Sequence, residues 1–170
     1  MSLAAPLPLS LHPTAAAIAR FLEDIGIPVR AESIDTDTFL PGIRIEAGSL
    51  LVDPARLLYP GDLLHEAGHL ALLPPFERAN ANDNIGDDGG LEMAAIAWSW
   101  AAALHLGLDP AVVFHDDGYK GGARAIRENF EQGRYIGLPL LQWMGLTVEA
   151  HRAAEFGVEP YPKMQRWLRP

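Results

Sequence analysis

Five consecutive residues, His65-Glu66-Ala67-Gly68-His69, hold the side chains best placed to do chemistry together. On an α-helix, which advances about 100° per residue, positions four apart stand about 40° apart around the axis and one turn apart along it. His65 and His69 then present two imidazoles from one face, as a tetrahedral zinc ion requires. Glu66 falls about 60° from His69 on the same side. From there it can reach a water on the metal without ligating the metal. The chemistry predicted is a metal-activated water served by a carboxylate base. With six His and 11 Glu in the chain, this pattern arises by chance in roughly 1% of shuffled sequences.

The flanks favour a buried helix. Leu63 and Leu64 precede the motif, and Leu70, Leu72 and Leu73 follow it. Buried imidazoles and carboxylates need partners, and a metal is one. Gly68 costs a helix interior about 1 kcal/mol against alanine, a cost explained by another backbone packing closely there. A catalytic zinc site needs a third protein ligand and one open position. Glu92 is the favoured candidate. It opens an otherwise apolar helix and continues through Ala95, Ser99 and Ala103, small residues at spacings that let two helices approach. Asp87 and Asp88 are the alternatives, as ligand or as partners of a ligating imidazole; Asp53 and Asp62 also suit the second role. His105, about 140° around the helix from Glu92, is a poor ligand. His115, in a loop cluster with Asp116-Asp117, reads as exposed rather than as a ligand, and His12 and His151 carry no signal.

The chain has no cysteine, so a zinc ion here has to be held by His and carboxylate. Its 170 residues carry a formal charge of −9 with no Lys/Arg cluster, which argues against a nucleic-acid surface. No run of 18 apolar residues exists to span a membrane. The N-terminal stretch is broken by Pro6, Pro8 and Pro13 and has no basic residue before Arg20, unlike a signal peptide. A cytoplasmic protein is expected.

The elements that must position these residues read as one domain over 1–170, with an irregular arm at 1–13, a core at 14–106 and a helical extension at 107–170. A helix is predicted from Thr14 to Ile25, capped by Gly26. A short strand is expected within Ile27–Ile34, and a hairpin over Gly42–Asp53 turning at Ala47-Gly48. Asp62 is placed to cap the motif helix, and Pro74-Pro75 to stop it. Phe76–Gly90 reads as a polar loop and Leu91–Leu106 as the helix bearing Glu92. Gly121–Gln132, Ile136–Met144 and Thr147–Phe156 are predicted helical. Met93, Trp98, Trp100 and Leu104 read as a core-facing stripe. The fold class is α+β with a small β-sheet and a helical C-terminal half.

His65-Glu66-x-x-His69, with Glu92 following His69 by 23 residues, resembles the gluzincin branch of the zincin metallopeptidases. The short length is similar to the compact ImmA/IrrE-type zincin domain over about residues 14–106. The resemblance implies zinc held by His65, His69 and Glu92, with Glu66 as general base for hydrolysis of a peptide or protein substrate. An oxyanion donor would then come from Tyr119, Arg124, Tyr135 or His151. Tyr119 stands in a glycine-rich loop able to approach a site. Two other readings share the residues: a non-catalytic zinc-binding regulatory or interaction domain, and a metal-free helical domain.

Overall fold

The computed structural model describes residues 12–83, 85 and 88–170. The architecture is α+β, a small mixed sheet among helices. α1 (Pro13–Ile25) starts on His12, whose ring nitrogen accepts the Thr14 N–H, and ends on Gly26 in a left-handed conformation. The strand expected within Ile27–Ile34 narrows to β1 (Val29–Ala31). β2 (Ile43–Glu46) and β3 (Ser49–Val52) form the hairpin. Its turn residues Ala47 and Gly48 both have positive φ, 47° and 76°, which gives the turn the twist of the flanking strands.

β3 is the central strand. β1 runs parallel to it with Val29 opposite Leu50, and β2 antiparallel with Ile45 opposite Leu50. On β2, the Ile45 N–H is taken by the Asp83 carboxylate at 2.7 Å and the Ala47 N–H by the Asn82 side-chain carbonyl at 3.1 Å.

The motif helix, α2 (Asp62–Ala71), is followed by α3 (Pro75–Ala79) and the long α4 (Gly89–His105). Two expectations are corrected here. Gly61, not Asp62, is the N-cap of α2, because the Asp62 carboxylate is drawn into a buried contact described below. The predicted polar loop Phe76–Gly90 contains α3, since Pro75 at its first turn has φ already set for a helix.

The remaining helices are α5 (Ala123–Glu131), α6 (Leu138–Trp143) and the single turn α7 (Ala153–Phe156). The expected helix over Thr147–Phe156 is thus reduced to a 3₁₀ turn at Ala150–Arg152 and α7.

The core unites these parts. Trp98, Phe114, Ile18, Leu50, Leu63, Leu64 and Leu141 are fully buried. Of the predicted apolar stripe on α4, Trp98 and Trp100 are buried while Met93 and Leu104 are exposed. The C-terminal tail is tied to α4: Trp98 donates its indole N–H to the Trp167 carbonyl, and Tyr161 its hydroxyl proton to the Ala97 carbonyl. The tail also closes the end of the motif helix. Arg169 donates its backbone N–H to the Ala71 carbonyl and its guanidinium to that of Leu72, while Arg78 reaches Leu73. Carbonyls left free by the stop at Pro74 are satisfied in this way. Among the described residues, no helix is long and apolar enough to cross a membrane.

Candidate metal centre

α2 and α4 pack side by side along the small residues of each. A Cβ on Gly68 would lie 3.1 Å from the Ala95 carbonyl oxygen and 3.3 Å from Ser99 Oγ, a contact tight enough that α4 would have to give slightly to admit it. Ser99 donates to the Ala95 carbonyl at 2.7 Å and lies 3.2 Å from that of Leu64. The close approach inferred from Gly68 and from the Ala95–Ser99–Ala103 face is therefore present. It brings Glu92, at the start of α4, over the paired imidazoles of α2.

Glu92 Oε2 lies 2.9 Å from His69 Nε2, and Glu92 Oε1 lies 3.8 Å from His65 Nε2. The two Nε2 atoms are 3.3 Å apart. Glu66 also approaches, its carboxylate within 4.8 Å of both histidine ligand atoms. Two imidazole nitrogens and a carboxylate oxygen converge at this point, a donor set suited to zinc and other borderline divalent ions.

The electrostatics divide the roles further. Burial pushes His65 down to about 4, assisted by His69 and opposed by Glu92, so its imidazole is neutral at pH 7 and free to ligate. For His69, burial acts downward, but the hydrogen bond and charge of Glu92 prevail and raise it. The hydrogen bond from His69 holds Glu92 below the usual carboxylate range. Burial pushes Glu66 up to about 7, with His69 opposing and Asp83, Asp62 and Glu92 adding to the rise. A carboxyl poised near neutrality suits proton transfer.

The C-terminal half contributes a second layer. His65 Nδ1 lies 2.8 Å from the Tyr119 hydroxyl, which burial keeps protonated well above the ordinary tyrosine range. His115 is not the exposed residue expected from its loop: its Nε2 lies 2.8 Å from Asp62 Oδ1, and the two side chains are 14% and 5% exposed. Burial raises the Asp62 carboxyl and the His115 contact opposes that rise. Tyr59 stacks on His115 with ring centroids 3.8 Å apart and donates to Asp117 at 2.6 Å.

Other expected participants lie elsewhere. Asp88 caps α4 by accepting the Leu91 N–H, and Asp87 lies outside the described residues. Asp53 accepts the N–H groups of Ile34 and Ala55. Arg124 pairs with Glu128 on the surface, Tyr135 packs between Phe130 and Tyr161, and His151 is exposed. His105 packs against Phe21 and Trp167. The Asp62–His115 contact was missed because its partners are 53 residues apart; the only sequence signal was a histidine beside Asp116-Asp117.

Comparison of the chain with protein-family models, curated proteins and solved structures returned no match.

Proposed function

We propose that this protein is a zinc-dependent hydrolase with a zincin-like core, acting on peptide bonds. The observation that carries the reading is the convergence of His65 Nε2, His69 Nε2 and the Glu92 carboxylate, within 3.8 Å of one another, beside the half-buried Glu66. His65, His69 and Glu92 would hold the ion. Zinc so bound supplies Lewis acidity, polarising a carbonyl and acidifying water. The chain's own residues do the rest. Glu66, ionised, accepts a proton from the attacking water on its carboxylate and returns it to the departing amine nitrogen. Burial holds its proton affinity near neutrality.

The test is metal analysis together with hydrolysis of a broad quenched-peptide panel by wild type and Glu66→Gln. The variant should hold zinc at wild-type stoichiometry and lose cleavage. A wild-type protein that holds zinc and cleaves nothing in the panel defeats the peptidase reading.

One observation favours a non-catalytic zinc-binding module instead. The N–H groups of Ile43 and Ile45 on β2 and of Ala47 in the adjoining turn are taken by Leu40, Asp83 and Asn82 of the same chain, so an extended peptide cannot pair there unless they are displaced. The same panel decides, since such a module would bind zinc and leave every peptide intact.

A further inference from the structure

We infer that Tyr119 is a positioning residue of this metal centre: its hydroxyl grips His65 Nδ1 and so aims His65 Nε2 at His69 and Glu92. This rests on the metal-site part of the reading above and not on the choice of substrate.

The two nitrogens of an imidazole point to different sides of the ring. In His65, Nε2 faces His69 Nε2 at 3.3 Å and Glu92 Oε1 at 3.8 Å, while Nδ1 faces the Tyr119 hydroxyl at 2.8 Å. A ligating histidine uses one nitrogen for the ion and fixes its ring and tautomer with a hydrogen bond at the other. With Nε2 given to the ion, Nδ1 carries the proton and donates it to the Tyr119 oxygen. The phenol lies on the side of the imidazole away from the ligand cluster, a place suited to orienting the ring rather than to donating to a substrate oxyanion.

The backbone supports the assignment independently. Tyr119 and Lys120 are consecutive non-glycine residues with φ of 56° and 53°, in a loop that offers Gly118, Gly121 and Gly122 as neighbours. A left-handed conformation costs a residue with a Cβ about 1 kcal/mol or more, and such strain persists only where surrounding contacts over-determine it. Here they do. His115 is fastened to Asp62, one turn before His65 on the same helix. Tyr59 stacks on His115 and binds Asp117. Arg127 donates to the Phe114 carbonyl and to Asp116, and the Phe114 and Tyr119 rings pack with centroids 5.2 Å apart. The loop is thus anchored to the first turn of α2, and the phenol reaches the next turn.

The test is Tyr119→Phe, which keeps the ring packed on Phe114 and removes only the hydroxyl. Zinc affinity, measured by competition with a chromophoric chelator, should fall about 10- to 100-fold, while the thermal midpoint of the metal-free protein stays close to wild type. A structural role alone would not touch the second readout, ¹⁵N-resolved NMR of the zinc-loaded imidazoles. Wild type should show His65 bound through Nε2 with a slowly exchanging Nδ1 proton, and the variant should lose that protection. Unchanged zinc affinity in the variant, or zinc on Nδ1 of His65 in wild type, overturns the inference and leaves the metal site standing. A wild-type protein that binds no zinc overturns the metal reading and this inference with it. The wild-type spectrum decides the point even if the variant does not fold.

Discussion

Glu66→Gln in the metal-free protein should reveal how much the buried carboxyl costs the fold. Burial raises Glu66 from an ordinary 4.5 to about 7. Below pH 4.5 the carboxyl is protonated in both folded and unfolded chains and makes no difference. Between 4.5 and 7 the unfolded chain releases the proton while the folded chain retains it, so stability falls as pH rises. Above 7 both are ionised and the loss is complete. At about 1.4 kcal/mol for each tenfold change in proton affinity, the loss is about 3 kcal/mol. Glutamine has the shape of the protonated acid and no such penalty. The variant should match wild type near pH 4 and exceed it by about 3 kcal/mol at pH 8, or about 6–12 °C in midpoint for a chain of this size.

His65, pushed down to about 4, acts in the opposite sense. Its contribution is complete above its unfolded value near 6.5 and is lost as pH falls towards 4. Wild type alone would therefore show a flattened pH profile, whereas the difference between wild type and variant cancels His65 and leaves Glu66 with its coupling to His69. Urea denaturation in chelator at pH 4, 6 and 8 measures it. Parallel profiles for the two proteins, with no gap opening between pH 4.5 and 7, would refute the claim that Glu66 is buried and poised.

Further outcomes follow from the same geometry. Zinc at 100 times its Kd should stabilise wild type by about 2.7 kcal/mol; His69→Ala should show no such shift in calorimetry, and Glu92→Gln should bind zinc more weakly in chelator competition. Gly61→Ala should destabilise the fold by about 2–3 kcal/mol in urea melts, because its Cβ would collide with the Val112 carbonyl at the start of the motif helix. Trp98→Ala should cost about 3–5 kcal/mol, since the ring is fully buried and its N–H holds the Trp167 carbonyl; far-UV and near-UV melts should both shift.

Local rules made much of the site legible. Helical periodicity placed His65, Glu66 and His69 on one side of α2, and the Ala47-Gly48 pair between two apolar runs marked the hairpin turn. Gly68 and the small face of α4 announced a close helix contact, and that contact delivers Glu92. The failures turn on which partner a carboxylate meets once the chain is packed. Asp62 has the side chain of an N-cap, yet its carboxylate is engaged by His115, and a buried partner outweighs an exposed cap. Asp88 has the chemistry to partner a histidine, but the cap of α4 claims it.

What the sequence by itself determined is what depends on residues within a turn or two of one another: the paired imidazoles, the adjacent Glu66 carboxylate and the helices that carry them. What only the tertiary structure decided is what depends on chain closure. Tyr119 meets His65 across 54 residues, His115 meets Asp62 across 53, and Arg169 caps a helix that ends at Ala71. No periodicity links such positions. They are joined because the apolar faces of α1, α2, α4 and the tail share one core, and the loop of Tyr119 is carried to His65 when that core packs.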